Sequence, residues 1–226
     1  MAGRVTRPPG QGESGSPSRH DDGRDGSARI RNGGEDGDVM GIVTPGRLAV
    51  PVSAADHVRG PEQAPITLVE YGHYQSSDCA SLQPDLDDLL RHRKPQVRLV
   101  YRHFPAPPSD THPYMFVAAE IAEAAAVRHR FWEMHDWMFE HQHDMGWASL
   151  RRAELILDMP PEAVDVEISR LVYRDRIMRD VDSGRRSGVW RAPTLFVDDV
   201  RVDAGPSLPE LLPALDRALS AAGRGR

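Results

Sequence analysis

The alternation of apolar and polar positions predicts two strands in the first half of the chain. Residues 66–71 and 97–103 are rich in β-branched and other apolar side chains, which is typical of strands. Between them, apolar residues recur at helical spacing up to about residue 92. The leucines that carry this spacing are Leu82, Leu86, Leu89 and Leu90. Strand, helix and strand in this order predict a βαβ unit.

The remainder of the chain predicts a helical block and a final hairpin. Between residues 111 and 188 the apolar residues recur only at helical spacing. Residues 195–197 and 200–202 then predict two short strands around an Asp-Asp turn, followed by a helix to about residue 219. We therefore predict an α/β fold that carries an inserted all-helical domain.

The first 52 residues differ in composition from the rest. Residues 1–39 hold almost no large apolar side chains, so they cannot bury enough surface to offset the entropy of ordering. We expect a disordered tail and linker over 1–52, one domain over 53–221 and a short tail over 222–226. Both Met1 and Met40 are candidate starts. Because the tail has no apolar segment typical of a secretion signal, we expect a cytoplasmic protein.

Net charge and hydropathy argue against two classes of partner. The 226-residue chain has a formal net charge of −6, which disfavours a phosphate-binding surface, so we expect no nucleic-acid partner. No apolar run approaches the roughly 20 residues that a membrane-spanning helix needs. We expect a soluble protein without a membrane span.

The candidate chemistry lies where the first predicted strand meets the helix, in the sequence Tyr-Gly-His-Tyr-Gln-Ser-Ser-Asp-Cys over residues 71–79. Cys79 falls in the first turn of the helix, where unpaired backbone N–H groups and the helix dipole favour a thiolate. Either Ser76 or Ser77 is expected to cap the helix, and a ligand-binding hydroxyl is compatible with capping. His73 would stabilise a thiolate if it were protonated; the alternative is an ordinary surface histidine.

Cys79 is the single cysteine of the chain, so no intramolecular disulfide can form. The adjacent carboxylate of Asp78 opposes a thiolate. Two roles stay open for this cysteine: an inert core side chain, or a reactive thiol that forms mixed disulfides. Exchange between two thiols by this chain alone is disfavoured, because that reaction needs an attacking thiolate and a resolving thiol.

The histidines near the middle of the chain do not predict a metal site. His141 and His143 are two residues apart and do not share a helix face, although His135 and Glu140 lie close by in the sequence. One cysteine cannot build a thiolate-rich zinc site. We expect these histidines on solvated helix surfaces or at helix ends, and we expect neither a metal nor another cofactor.

The order of several motifs resembles the DsbA-like branch of the thioredoxin-fold disulfide oxidoreductases. Cys79 opens a helix, Pro84 follows five residues later, and the segment Val-Trp-Arg-Ala-Pro-Thr-Leu-Phe-Val occupies residues 189–197. The segments at 101–105 and 131–136 also resemble this family, and the resemblance covers roughly residues 56–219. It implies a thioredoxin fold with an inserted helical domain.

The resemblance also implies a binding site and its partners. In this family a cis-proline faces the thiol site from a later loop, which here is Pro193, and the preceding residue, Ala192, would present its backbone to an extended peptide. Ala192, Pro193 and His73 are therefore the candidate substrate-binding residues. The implied partners are proteins that present thiols or extended segments.

The chain departs from the family pattern at Ser76, which stands at the position of the first, nucleophilic cysteine. The resemblance then implies a thiol-disulfide oxidoreductase by descent, monothiol or weakly active, with Cys79 and Ser76 at the catalytic positions. One alternative is a non-catalytic peptide- or protein-binding module. A second is similarity to kappa-class glutathione transferases, which use a serine near this position. Whether the chain is an enzyme stays open at this point.

Overall fold

A computed structural model describes residues 46–105, 113–202 and 208–224 of the chain. The predicted disordered segment up to residue 45 and both candidate starts lie outside the described residues. So does residue 111, where the helical domain is predicted to begin.

Five strands and seven α-helices are found in the described part of the chain. The strands are β1 (His57–Arg59), β2 (Ile66–Gly72), β3 (Val97–His103), β4 (Thr194–Val197) and β5 (Val200–Val202). The helices are α1 (Ser77–His92), α2 (Met115–Ala126), α3 (Phe131–Glu140), α4 (Trp147–Ile156), α5 (Pro161–Ser169), α6 (Arg174–Arg186) and α7 (Leu208–Arg224), with a short 3-10 helix at Gln142–Asp144.

The strands form one mixed sheet in the order β1-β3-β2-β4-β5. β2 and β3 are parallel, and every other neighbouring pair is antiparallel. Because side chains alternate along a strand, Ile66 and Leu68 face α1 and α7, whereas Val69 and Tyr71 face the other side of the sheet. Glu70 therefore lies on the α1 side, in line with Ile66 and Leu68.

The predicted fold class is confirmed. A mixed sheet with helices packed on it and an inserted run of helices, α2 to α6, is the arrangement that the hydrophobic pattern indicated. The βαβ unit and the final hairpin lie where the sequence placed them. The pattern missed β1, because three residues are too short to show a period.

The segment before β1, predicted as part of a linker, packs on the sheet from residue 47 onward. The backbone N–H of Leu48 donates to the Asp199 carbonyl at 2.7 Å, and Leu48 and Val52 pack against the buried face of β2. The buried guanidinium of Arg102 donates to both carboxylate oxygens of Asp56, at 2.8 and 3.1 Å. At the other end, α7 continues to Arg224, beyond the predicted start of the tail at 222.

None of the helices within the three described segments is long and apolar enough to cross a membrane.

Candidate functional site

The turn from β2 into α1 brings the loop of residues 73–76 to one end of the sheet. Gly72 is required at its start, since a Cβ at this position would lie 2.9 Å from both Glu70 Oε1 and the Tyr101 ring. Ser76 has an extended backbone and its hydroxyl accepts a hydrogen bond from the Cys79 N–H at 3.2 Å. The expected serine cap of α1 is confirmed, and Ser76 is the residue that provides it.

The Cys79 thiol is fully buried and lies beside the buried carboxyl group of Glu70. Burial raises the pKa of Cys79 well above its usual value, and the negative charge that Glu70 acquires when it ionises adds to the shift. The Ser76 hydroxyl and the His73 backbone favour the thiolate but do not outweigh these two effects. Cys79 is therefore held as a neutral thiol, and the inert interpretation of this residue is the one that the geometry supports.

Glu70 is itself held neutral near pH 7. Burial raises its pKa to about 8, against the opposing hydrogen bonds from Gln83 and the Cys79 thiol. Gln83 Nε2 donates to the two carboxyl oxygens at 3.4 and 3.3 Å. Two neutral acids thus lie side by side under the start of α1.

His135 extends this buried polar network and corrects one sequence-based expectation. We predicted His135 on a solvated helix surface, but it is fully buried. Its Nε2 lies 3.2 Å from Gln83 Oε1 and its Nδ1 lies 3.4 Å from the Tyr74 hydroxyl. Burial holds its pKa well below the usual value, so the ring is neutral and donates to Gln83 from Nε2.

Two glutamines connect the 73–76 loop to the helical domain. Gln142 Nε2 donates to the backbone carbonyls of Tyr74 and Ser76, both at 2.8 Å. Gln75 Oε1 accepts from the Tyr114 N–H at 2.7 Å. Sequence reasoning missed both contacts, because the partners are about 40 to 70 residues apart and glutamine carries no motif.

The loop before β4 reaches the same end of the sheet. Thr194 pairs with Tyr71, so residues 190–193 lie beside the chain that continues from β2 into the 73–76 loop. The Ala192–Pro193 peptide bond is cis; Pro193 is buried and Ala192 half-buried. Trp190, in contrast, is 77% exposed.

Of the predicted site residues, His73, Ser76 and Cys79 come together at the start of α1. The backbone of His73 lies by the Cys79 thiol, and the residue is half-buried rather than on the open surface. Ala192 and Pro193 approach from the neighbouring strand end.

The histidines near the middle of the chain do not group in the structure. His141 stacks on Trp137 with 4.0 Å between ring centroids, and His143 is exposed in the 3-10 helix.

A different cluster, formed by His57, His103 and Glu123, was missed by sequence reasoning. These residues lie 46 and 20 positions apart in the sequence, and only the fold brings them together.

Several solved structures share this fold. BdbD from Bacillus subtilis superposes with a TM-score of 0.69 and 19% identity, covering 78% of this chain and 100% of that one. A thioredoxin-like oxidoreductase from Silicibacter pomeroyi gives 0.63 at 21% identity, covering 74% and 94%. Wolbachia pipientis alpha-DsbA1 gives 0.64 at 16% identity, covering 77% and 96%. At these identities the likeness shows the fold.

Curated relatives match over the same region. A Na(+)/H(+) antiporter NhaA 3 of Salinispora tropica is 39% identical over 180 residues, which is 79% of this chain and 27% of the relative. An NhaA 1 of Mycolicibacterium gilvum is 34% identical over 174 residues, 75% of this chain and 27% of the relative. The chain thus spans about a quarter of the length of these relatives.

The family comparison covers almost the whole of the described fold. A sequence-family model described as Thioredoxin matches residues 53–217. This range includes the sheet, the 73–76 loop, the helical block and the start of α7. The chain therefore belongs to the thioredoxin family, and its fold is that of the DsbA-like thiol-disulfide oxidoreductases.

Proposed function

We propose that this chain is a DsbA-like thioredoxin domain that binds an extended segment of a protein partner and does not carry out dithiol exchange by itself. In this account Ser76 replaces the nucleophilic cysteine of the family. The single observation that supports the proposal most directly is the state of the one cysteine, Cys79, which is buried beside Glu70 as a neutral thiol.

The chemistry of exchange explains why this observation matters. A thiolate must reach the disulfide of the substrate, and a second thiol must release the mixed disulfide that forms. Cys79 has no accessible thiolate, and the chain has no second thiol. The Ser76 hydroxyl cannot substitute, because it stays protonated at neutral pH and accepts the N–H of Cys79 as a helix cap.

The surface around the loop 190–193 supports the binding half of the proposal. This loop approaches the start of α1 through the pairing of β4 with β2, which in this family is where an extended peptide is added. Trp190 offers a large exposed aromatic surface there. Exposed tryptophans are among the residues that contribute most to protein binding.

Restoring the missing sulfur tests the assignment of Ser76. A Ser76→Cys variant places a thiol at the N-cap of α1, where backbone N–H groups lower the pKa of a thiol, three residues before Cys79. We expect this variant to gain insulin-reducing activity with dithiothreitol, from the background rate of the wild type to a clear turnover.

The neighbouring serine provides the matched control. Ser77→Cys adds the same atom one position later, at an exposed site that does not cap the helix. It should stay at background. A folded Ser76→Cys protein without any gain, or equal activity of the two variants, would show that Ser76 does not occupy the nucleophile position.

A further inference from the structure

Three potential metal ligands converge outside the site described above. His57 lies on β1, His103 ends β3, and Glu123 lies on α2. His57 Nε2 is 2.8 Å and His103 Nε2 is 3.0 Å from the same atom, Glu123 Oε1. The side chains are 13%, 1% and 6% exposed, respectively. One donor atom of each residue therefore points to a common, nearly buried centre.

The hydrogen bonding of His103 is incomplete. Although its Nε2 is near Glu123, neither ring nitrogen makes a hydrogen bond of acceptable geometry to another group within the described segments. A buried polar atom without a partner is unfavourable, because it has lost its hydrogen bonds to water. A ligand between the two histidines and Glu123 would use the lone pair that His103 presents.

The distances of the two histidine nitrogens from Glu123 Oε1 suit a small divalent ion. Four ligands at about 2.0–2.1 Å around a tetrahedral zinc ion lie about 3.3 Å from one another. The observed distances to Glu123 Oε1 need to widen by only a few tenths of an ångström. His57 lies on the short edge strand β1 and is the most exposed of the three side chains.

The charges around the cluster also allow a cation. Arg176 Nε lies 3.9 Å from Glu123 Oε1 and opposes a cation, but its guanidinium is paired with Asp180. Glu123 then leaves the centre with one negative charge.

The orientation of His57 is fixed by packing. Its ring stacks on Phe131 with 3.5 Å between centroids and 9° between planes. A ligand held in this way needs little reordering when an ion binds, since its rotamer is already set.

We propose that His57, His103 and Glu123 form a binding site for a divalent transition-metal ion, with Zn²⁺ as the best fit, and that a fourth coordination position is open to water. Imidazole nitrogens favour zinc, copper, iron and nickel over calcium and magnesium. Each imidazole presents Nε2 to the ion and carries its proton on Nδ1. The ion links the edge strand β1 and the end of β3 to α2.

Titration of the full chain with Zn²⁺, in competition with a chromophoric chelator, tests this site. We expect one ion per chain, a rise in melting temperature on binding, and a tetrahedral visible spectrum when Co²⁺ is used instead. His57→Ala and Glu123→Gln should each weaken Zn²⁺ binding by more than about 10-fold. Removing a residue that only hydrogen-bonds a metal ligand already weakens binding by about this factor, and these two residues are proposed as ligands themselves.

The exposed His143 in the 3-10 helix provides the control, because His143→Ala removes an imidazole outside the cluster. Its Zn²⁺ affinity should equal that of the wild type. If His57→Ala does not fold, Glu123→Gln, which keeps the shape of the side chain, still decides the question. Absence of Zn²⁺ binding in the wild type, or unchanged affinity in the folded cluster variants, would overturn the proposal.

Discussion

Glu70 and Cys79 are two buried acidic groups that lie side by side, and burial keeps each of them neutral near pH 7. The carboxyl group is buried on the α1 side of β2, and the thiol is buried in the first turn of α1. A negative charge on either group disfavours a charge on the other. A partially exposed thiolate, which a reactive cysteine requires, is the state that this arrangement disfavours most.

The raised pKa of Glu70 predicts how stability depends on pH. The group releases its proton at about 8 in the folded protein, against an ordinary value of 4.5. Between these values the folded state holds a proton that the unfolded state has lost, so the free energy of unfolding falls as pH rises. Glu70→Gln removes this dependence. We expect the variant to gain stability relative to the wild type by up to about 1.4 kcal/mol per pH unit across this window.

Urea unfolding at about pH 5, 6, 7 and 8 measures the difference in the free energy of unfolding between the variant and the wild type. The change of this difference with pH reports the one proton that Glu70 holds in the folded protein. Glu133→Gln, which changes an exposed carboxylate on α3 in the same way, is the control and should follow the wild type. Parallel pH curves for the Glu70 variant and the wild type would mean that Glu70 is ionised in the folded protein.

His135 shows what the sequence could not predict about single residues. Histidine is often exposed, and the apolar face that α3 forms with Phe131, Met138 and Phe139 does not by itself show that a polar ring on that face finds buried partners. Its burial is stabilised by hydrogen-bonding partners that come from the 73–76 loop and from α1, 61 and 52 residues earlier in the chain. Ser76 was predictable because helix capping depends on a few adjacent residues.

The sequence predicted the strands and helices that are long enough to show a repeating pattern of apolar residues. β2 and β3 have seven residues each and α1 has 16, which is enough for the apolar pattern to define them. β1 has three residues and is defined instead by its antiparallel pairing with β3. His57, the metal ligand proposed on β1, could not be found from the sequence, because this strand is too short to show a pattern.

The loop between α6 and β4 carries the prediction about partner binding. Trp190 is exposed beside the 73–76 loop, so its removal should weaken the binding of an extended polypeptide by about 10-fold, as for a moderate hot-spot residue. Fluorescence anisotropy with a labelled, permanently unfolded carboxymethylated protein measures this affinity.

Trp147 provides the comparison for this experiment, because it is 45% exposed at the start of α4 and lies outside the loop. Trp147→Ala should bind as the wild type does. Equal affinity of Trp190→Ala and the wild type would place the polypeptide elsewhere on the surface.

Cys79 is packed where the sheet and the helical domain share one core. The same cluster holds Tyr101 from β3, Met134 from α3 and Ile177 from α6, so the thiol becomes accessible only if these elements separate. The chemistry of Cys79 therefore reports on the opening of the fold rather than on a surface site. The family motif indicated the position of the thiol, but its burial depends on helices that are far away in the sequence.

The rate of iodoacetamide labelling of Cys79 in the native protein, compared with the denatured protein across a range of pH, is the measurement that decides most. We expect native labelling to be slower by at least about 1,000-fold, as for a group exposed only by unfolding of a domain with about 5 kcal/mol of stability. Rapid native labelling with a midpoint below the ordinary thiol value of about 8.5 would show an accessible thiolate, and would identify a monothiol enzyme instead of a binding domain.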